Sequence, residues 1–256
     1  MNITSLKILT ANCLTHPLIG TALRALYGGR MPAGDFSICL SDPHISPRSA
    51  AYLFWGFYEK AERAFVDRYL RSDLDVVELG ASLGIVALHI LRKQTPGKQF
   101  VTVEANPKLL PTIETNLQTN FPTRSVSVLN RAIDYEGRSE VLISLNHDHL
   151  ASSLPEHQVE GAGSQLPIQT TTLSRILEDH SIGDYALVSD IECAEIAMIH
   201  RDGAALRRCR QMIIELHPGR WHETKYTVDD VVAAIQNLHG FKIVDASGPV
   251  YVFDKL

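Results

Sequence analysis

The sequence predicts an α/β protein with a doubly wound, mostly parallel sheet and a C-terminal antiparallel hairpin. From Asp75 onward, short apolar runs alternate with helical segments at βαβ spacing, as in "DVVELG", "LGIVALHILRK" and "QFVTVEA". The chain ends in "FKIVDASGPVYVFDKL", where Ser247-Gly248-Pro249 predicts a turn between two strands. A length of 256 residues suits one large α/β domain, alone or with an N-terminal extension.

The segment before Asp75 predicts two helices and one strand. "HPLIGTALRALYGG" predicts a short helix with Thr15 as N-cap, Pro17 in the first turn and Gly28-Gly29 as the stop. "DFSICLS" alternates in polarity like a strand. "SPRSAAYLFWGFYEKAERAFVDRYLRS" predicts one helix, because its apolar residues recur at helical spacing.

The remaining elements continue the alternation after the first βαβ unit. "NPKLLPTIETNLQTN" predicts a helix that tolerates Pro111 in its first turns, and "SVSVLNRAI" predicts the third strand. "GRSEVLISL" predicts an extra strand. "YALVSDI" and "RQMIIELHP" predict two more, joined by a helix through "AEIAMIHRDGAALRRC" and followed by the helix "TVDDVVAAIQNLHG". Residues 146–167 are polar and aperiodic, as in a long loop that is functional or disordered.

Composition excludes several classes of protein. With 45% hydrophobic and 21% charged residues, the chain is typical of an ordinary globular protein. A net charge of -5 gives no basic surface for nucleic acid, and no apolar run is long enough for a membrane span. The 4 cysteines form no CxxC pair, and no signal peptide is evident, so we expect reduced thiols in a cytoplasmic protein. We expect an N-terminal extension at 1–45 and the main domain at 46–256.

A glycine-containing turn in "VVELGASLG" is the first chemical signal. Gly80 ends a buried strand and Gly84 opens a helix, so backbone amides can face a ligand there. Glu104 ends the next strand, where an acid can accept both hydroxyls of a ribose. The pattern is E-x-G-x-S-x-G, with Ser82 where a dinucleotide fingerprint has a glycine. It suits a cofactor with a ribose and no pyrophosphate, such as S-adenosylmethionine (SAM), although small residues are also used for packing alone.

The second signal is acidic. In "LVSDIECAE", Asp190 closes an apolar strand at the edge where open α/β sheets bind ligands. Glu192 follows in the first turn of a helix, and Glu195 lies on the same face of that helix. The helix dipole alone could explain Glu195. His217 follows the strand "MIIEL", where it could act as a general base or cap the strand before Pro218.

These motifs, in their order, resemble the FkbM family of SAM-dependent methyltransferases. The resemblance rests on "VVELGASLG", "VTVEANP", "LNRAID", "LVSDIECAE" and "MIIELHP", with "GFYE" and "ASSL" as weaker matches. It covers residues from about 45 to 256. The chain departs from the family pattern with Ser82 for Asn, Ser174 for Asp, Ser189 for Lys and Cys193 for Gly.

The resemblance implies a class I methyltransferase-like fold, SAM as cofactor, and O-methylation of a hydroxyl on a small molecule, natural product or sugar. The catalytic residues that it implies are Asp190, Glu192 and His217. The cofactor-binding residues are Glu78, Gly80, Ala81, Ser82, Gly84, Glu104, Ala105, Arg131, Ala132 and Asp190. The substrate-binding residues are Glu59, His147, Ser152, Ser153, Glu195 and Glu215.

Several alternatives stay open. A non-catalytic module with the same fold, a nicotinamide-dependent oxidoreductase and a methyltransferase acting on protein are the competing functions. No metal ligand is assigned, although His147 and His149 in "HDH" could bind an ion together with Asp190. The expected partner is a small-molecule or glycan hydroxyl acceptor, without nucleic acid or a membrane span, and the chain could form a homodimer.

Overall fold

The computed structural model describes residues 13–42, 45–144, 165–191 and 194–256. The chain divides into two compact units, one of residues 1–60 and 144–164, the other of residues 61–143 and 165–256. The division predicted at residue 45 stays a prediction. In the described part of the chain, no helix combines the length and apolarity needed to cross a bilayer.

The first unit contains a helix and a two-stranded antiparallel sheet, followed by a second helix. Its elements are α1 (Pro17–Tyr27), β1 (Arg30–Ala33), β2 (Phe36–Cys39) and α2 (Pro47–Phe54). The predicted N-cap at Thr15 is wrong, because the side chain of His16 accepts from the amide of Leu18. Gly28 ends α1 in the left-handed conformation, as predicted. Strand β2 was predicted, and its partner β1 was not.

The single helix predicted over residues 46–72 is two helices. After α2 the chain turns at Gly56, whose φ is +66°, and helix α3 (Lys60–Tyr69) follows. The amide of Phe57 donates to Tyr52 O at 2.9 Å, and that of Gly56 to Leu53 O at 3.1 Å. This pair of bonds is a Schellman motif, which ends a helix wherever glycine supplies the left-handed residue.

The second unit is built on a sheet of 7 strands in the order β13-β14-β10-β9-β3-β4-β5. Its strands are β3 (Asp75–Leu79), β4 (Phe100–Glu104), β5 (Ser127–Asn130), β9 (Tyr185–Ser189), β10 (Cys209–Glu215), β13 (Phe241–Ser247) and β14 (Val250–Lys255). Five neighbouring strands run parallel, and β14 is antiparallel to both β10 and β13. The predicted mostly parallel sheet with a C-terminal antiparallel hairpin is confirmed.

Helices cover the sheet. They are α4 (Ile85–Lys93), α5 (Leu110–Asn120), α6 (Leu173–Asp179), α7 (Ala194–Arg201), α8 (Gly203–Arg208) and α9 (Val228–His239). Val77 and Val101 pack in one cluster with apolar residues of α6 to α9. Glu78 and Thr102 are the next residues along the same strands, so their side chains point to the opposite face of the sheet. Both are also buried. Both faces of the central strands are therefore covered, as the apolar strands require.

Helices α7 and α8 were predicted as one helix. The chain breaks at Asp202, whose side chain accepts from the amide of Ala205 and caps α8. This is the usual role of aspartate at a helix N-terminus.

The remaining, shorter strands form two smaller sheets. They are β6 (Ala132–Ile133), β7 (Glu140–Ser144) and β8 (Gln165–Thr171), and the hairpin of β11 (Gly219–Trp221) and β12 (Thr224–Tyr226). The third predicted strand is divided at Arg131 between β5 and β6, and β7 was predicted. Strands β8, β11 and β12 were not. Residues 146–164 of the predicted loop lie outside the described residues, and 165–167 begin β8.

Candidate active site

The parallel strands end at one edge of the sheet, and most of the predicted site residues that the structure describes lie there. Because β3, β4 and β9 are neighbours, their carboxyl ends bring Gly80, Glu104 and Asp190 together. The amide of Ser82 donates to Glu104 Oε2 at 2.8 Å, which ties the glycine turn to the end of β4. The amide of Asp190 donates to Leu79 O at 2.9 Å, which ties the same turn to β9.

Gly80 is required by the backbone itself. Its φ is +87°, and a Cβ on it would lie 1.9 Å from the carbonyl oxygen of Asp190. A side chain there would therefore force the ends of β3 and β9 apart. Gly84 also has a positive φ, +75°, and serves as the N-cap of α4. Architecture alone accounts for the glycine at position 80, whether or not a ligand approaches it.

Glu104 is a buried carboxylate held by backbone amides. Its Oε2 accepts from Ser82, and its Oε1 accepts from the amide of Asn106 at 2.7 Å. Burial raises the pKa of Glu104, and these amides partly offset that effect. The amide of Arg131 donates to Glu104 O at 3.2 Å, and Asn130 Nδ2 donates to Ala105 O at 2.9 Å. The end of β5 and the predicted residue Arg131 that follows it are thus fixed beside Glu104, and the predicted residue Ala132 begins β6.

Glu78 is an acid inside the sheet. Thr102 Oγ1 donates to its Oε2, and within the described residues its Oε1 has no hydrogen-bond partner. Burial raises the pKa of Glu78 to about 8, and the charge of Glu104 adds to this effect. Ser189 Oγ, at the last position of β9, is also buried without a partner among those residues. Both atoms retain hydrogen-bonding capacity that a polar ligand at this edge can use.

An imidazole surrounded by carboxylates lies at the ends of β9 and β10. His217 Nδ1 is 3.1 Å from Glu195 Oε1, and His217 Nε2 is 3.9 Å from Asp190 Oδ1 and 3.6 Å from Glu215 Oε1. A carboxylate can only accept, so Nδ1 donates to Glu195. In the neutral imidazole the basic lone pair is then on Nε2, on the side of Asp190 and Glu215.

Glu62 joins this cluster, although the sequence analysis did not select it. It lies on α3 and is hydrogen-bonded to Glu215, and burial together with that bond raises the pKa of Glu62 to about 8. The neighbouring His217, whose Nε2 lies 3.6 Å from Glu215 Oε1, instead lowers the pKa of Glu215. The shared proton therefore stays on Glu62, and Glu215 is ionised. No local pattern in the sequence marks Glu62, because Glu59 of "GFYE" has a φ of +45° and lies before the first turn of α3.

Other predicted residues belong to the first unit or fall outside the described residues. Glu59 belongs to the first unit and has a φ of +45°. The catalytic prediction at Glu192 and the substrate predictions at His147, Ser152 and Ser153 fall outside the described residues. Their roles stay predictions.

A protein-family model for the methyltransferase FkbM domain matches residues 78–243. The chain belongs to the FkbM methyltransferase family. The match begins within β3 and includes the strand ends that form the site. The FkbM chain is a methyltransferase with a Rossmann-like fold, and its cofactor is SAM. This identification favours methyl transfer over the nicotinamide chemistry that the glycine turn had left open. No curated protein sequence matches the chain.

Solved methyltransferase structures resemble the FkbM chain only distantly. Precorrin-6y C5,15-methyltransferase from Geobacter metallireducens GS-15 is 17% identical with a TM-score of 0.42, covering 75% of this chain and 85% of that one. Magnesium protoporphyrin IX methyltransferase from Synechocystis PCC 6803, solved with bound SAM, is 11% identical with a TM-score of 0.43 and covers 77% of each chain. Ribosomal protein L11 methylase from Lactobacillus delbrueckii subsp. bulgaricus is 12% identical with a TM-score of 0.43, covering 77% and 78%.

Proposed function

We propose that this FkbM methyltransferase transfers the methyl group of SAM to a hydroxyl oxygen of a small molecule, natural product or sugar. The observation that carries the proposal is the position of His217 between Glu195 and Asp190. A hydroxyl must lose its proton during methyl transfer. An imidazole oriented by a carboxylate is the usual group that accepts such a proton.

The cofactor binds at the ends of β3, β4 and β5. Glu104 accepts the ribose hydroxyls, since it lies at the end of β4 and the two oxygens of a carboxylate offer about four acceptor positions, of which Ser82, Asn106 and Ala105 use three. The turn from Gly80 to Gly84, with Ala81 and Ser82, places backbone amides beside the cofactor. Ala105, Arg131 and Ala132 lie next to the adenine. Buried Glu78 lies in β3, two residues before Gly80 of the turn, and Asp190 faces the cofactor from the end of β9.

The acceptor lies against His217, Asp190 and Glu215. SAM supplies an electrophilic methyl group whose C–S bond breaks as the new C–O bond forms. Asp190 orients the acceptor hydroxyl, and the proton of that hydroxyl passes to His217 Nε2. Glu195 stabilises the imidazolium through Nδ1, 3.1 Å away. Alignment of oxygen, methyl carbon and sulfur is the main contribution of the protein.

The experiment is a transfer assay with methyl-¹³C SAM and a panel of hydroxylated sugars, phenols and macrolides. The products are examined by NMR, which distinguishes a methyl group on oxygen from one on carbon or nitrogen. We expect a methyl ether from at least one acceptor. A methyl group found only on carbon or nitrogen contradicts the proposal.

A further inference from the structure

The carboxylate–imidazole triad, defined as Asp190, Glu195 and His217, has the arrangement of a metal site. Each residue offers one ligand atom, and these three atoms lie within 4.8 Å of one another. We propose that the triad binds one divalent metal ion of the Mn²⁺ or Zn²⁺ class, which in turn binds the acceptor hydroxyl. Binding of the ion does not depend on the proposed function. The role of the ion at the acceptor hydroxyl rests on the proposed function.

Glu195 supplies the strongest argument. Its side chain is 1% exposed, and its Oε1 faces His217 Nδ1 and the amide of Ile191. Its Oε2 is buried and has no hydrogen-bond partner within the described residues. A buried carboxylate oxygen without a partner is costly, and His217 is the only ionic partner of Glu195 in that part of the chain. A bound cation removes this cost.

The ligand set suits such an ion. Metal–ligand bonds of about 2.0–2.2 Å place neighbouring ligand atoms roughly 3–4 Å apart, so small side-chain adjustments suffice. Two carboxylates and one imidazole are ligands typical of Zn²⁺ and Mn²⁺. Three protein ligands leave coordination positions open for substrate. Asp190 is the accessible member of the triad, with a side chain that is 33% exposed, and it gives the ion and the acceptor access from solvent.

The ion changes how the acceptor loses its proton. A hydroxyl bound to a divalent cation becomes a stronger acid, as water does on zinc. The proton leaves to solvent water, and the oxygen keeps the electron pair that forms the bond to the methyl carbon. The electron pair of the broken C–S bond stays on sulfur. With the ion bound, His217 is a ligand, and the ion replaces it as the group that activates the hydroxyl.

The test is a titration of tag-free, chelator-treated protein with Mn²⁺, in which the electron paramagnetic resonance signal of free aqueous Mn²⁺ is measured. We expect one ion per chain, displaced by Zn²⁺. Glu195→Gln and Asp190→Asn should each weaken binding at least tenfold. Glu178→Gln is the matched control, because Glu178 is exposed on α6 and lies outside the triad. Thermal melts of all variants verify that they fold.

Two results overturn the site: a wild-type protein that leaves the Mn²⁺ signal unchanged, or triad variants that fold and bind like Glu178→Gln. The two proposals fail separately. Metal binding by a protein that methylates only carbon or nitrogen keeps the site and removes the proposed function. If chelator-treated protein binds no Mn²⁺ and still methylates a hydroxyl at the full rate, the proposed function stands and the metal site is removed.

Discussion

Glu78 carries an ionisable group at a fully buried position of β3. Its carboxyl accepts from Thr102 on the neighbouring strand, and the two residues are paired in register. In the folded protein the pKa of Glu78 is about 8, compared with an ordinary value of 4.5. The sequence showed that Glu78 lies in the cofactor motif. It could not show the raised pKa, which depends on how completely neighbouring strands and helices exclude water.

This pKa predicts a pH-dependent stability. Between pH 4.5 and about 8 the folded protein holds a proton that the unfolded chain releases. The contribution of Glu78 to stability is therefore fully present below pH 4.5 and is lost as the pH rises towards 8. Glu78→Gln, which cannot ionise, should match wild type at pH 5 and be more stable at pH 8 by a few kcal/mol, on the order given by linkage.

The measurement is chemical unfolding of both proteins at several pH values from 5 to 8.5, without cofactor. Other groups affect both proteins equally, so the difference in unfolding free energy isolates Glu78. A difference that does not change with pH contradicts the raised pKa.

His217 is the residue on which the proposed chemistry depends most. His217→Asn should lower the rate of methyl transfer by about 10²–10⁴-fold, because either proton transfer or the metal ligand is lost. SAM affinity should stay within about threefold, since His217 follows β10, and two strands, β9 and β3, separate β10 from the Glu104 strand β4. The matched control is His222→Asn, at an exposed position with a φ of +52°, which asparagine tolerates. Transfer by His217→Asn at the wild-type rate would remove this residue from the mechanism.

At the scale of elements, the turn after β3 holds two strands in contact. Gly80→Ala places a Cβ 1.9 Å from the backbone oxygen of Asp190, at a φ of +87°. Gly97→Ala is the matched control, since Gly97 has a φ of +94° and no atom within 4 Å of the added Cβ. We expect Gly97→Ala to lower the free energy of unfolding by about 1–2 kcal/mol, and Gly80→Ala by more than about 3 kcal/mol.

Denaturant titrations of the two variants measure this difference. The excess of Gly80→Ala over Gly97→Ala is the cost of moving the ends of β3 and β9 apart. Equal losses in both variants would mean that the contact between the turn and Asp190 is not maintained in solution.

The elements that the sequence predicted leave a local mark in it, either an apolar run or a turn glycine. Strands β3, β4 and β9 are buried on both faces and appear as apolar runs, and Gly248 marks the hairpin turn. The missed strand β8 has one buried residue, Ile168, and contains Pro167, so its pairing with β6 left no hydrophobic pattern. The break at Gly56 was missed because apolar spacing continues across it. A single glycine decided the geometry there.

At the scale of the whole molecule, the topology explains which site residues could be predicted. Gly80, Asp190 and His217 each follow a strand, and Glu104 ends one. Parallel strands end at one edge, so the proximity of these residues follows from the strand order. Glu62 comes from a helix that precedes the sheet in the chain. Its contact with Glu215 depends on how α3 packs, which no local pattern records.

The central claim is that the turn after β3 and the end of β4 bind SAM through Glu104. The most direct test is calorimetric titration of the protein with SAM and with its demethylated product, with NAD in parallel. Glu104→Gln is compared with Glu114→Gln, which changes an exposed glutamate on α5. Wild type and Glu114→Gln should bind both sulfur compounds and not NAD. Glu104→Gln should bind them about 10–100-fold more weakly, because a charge-assisted pair of hydrogen bonds is lost. Equal affinity in the two variants, or binding of NAD alone, would contradict the account.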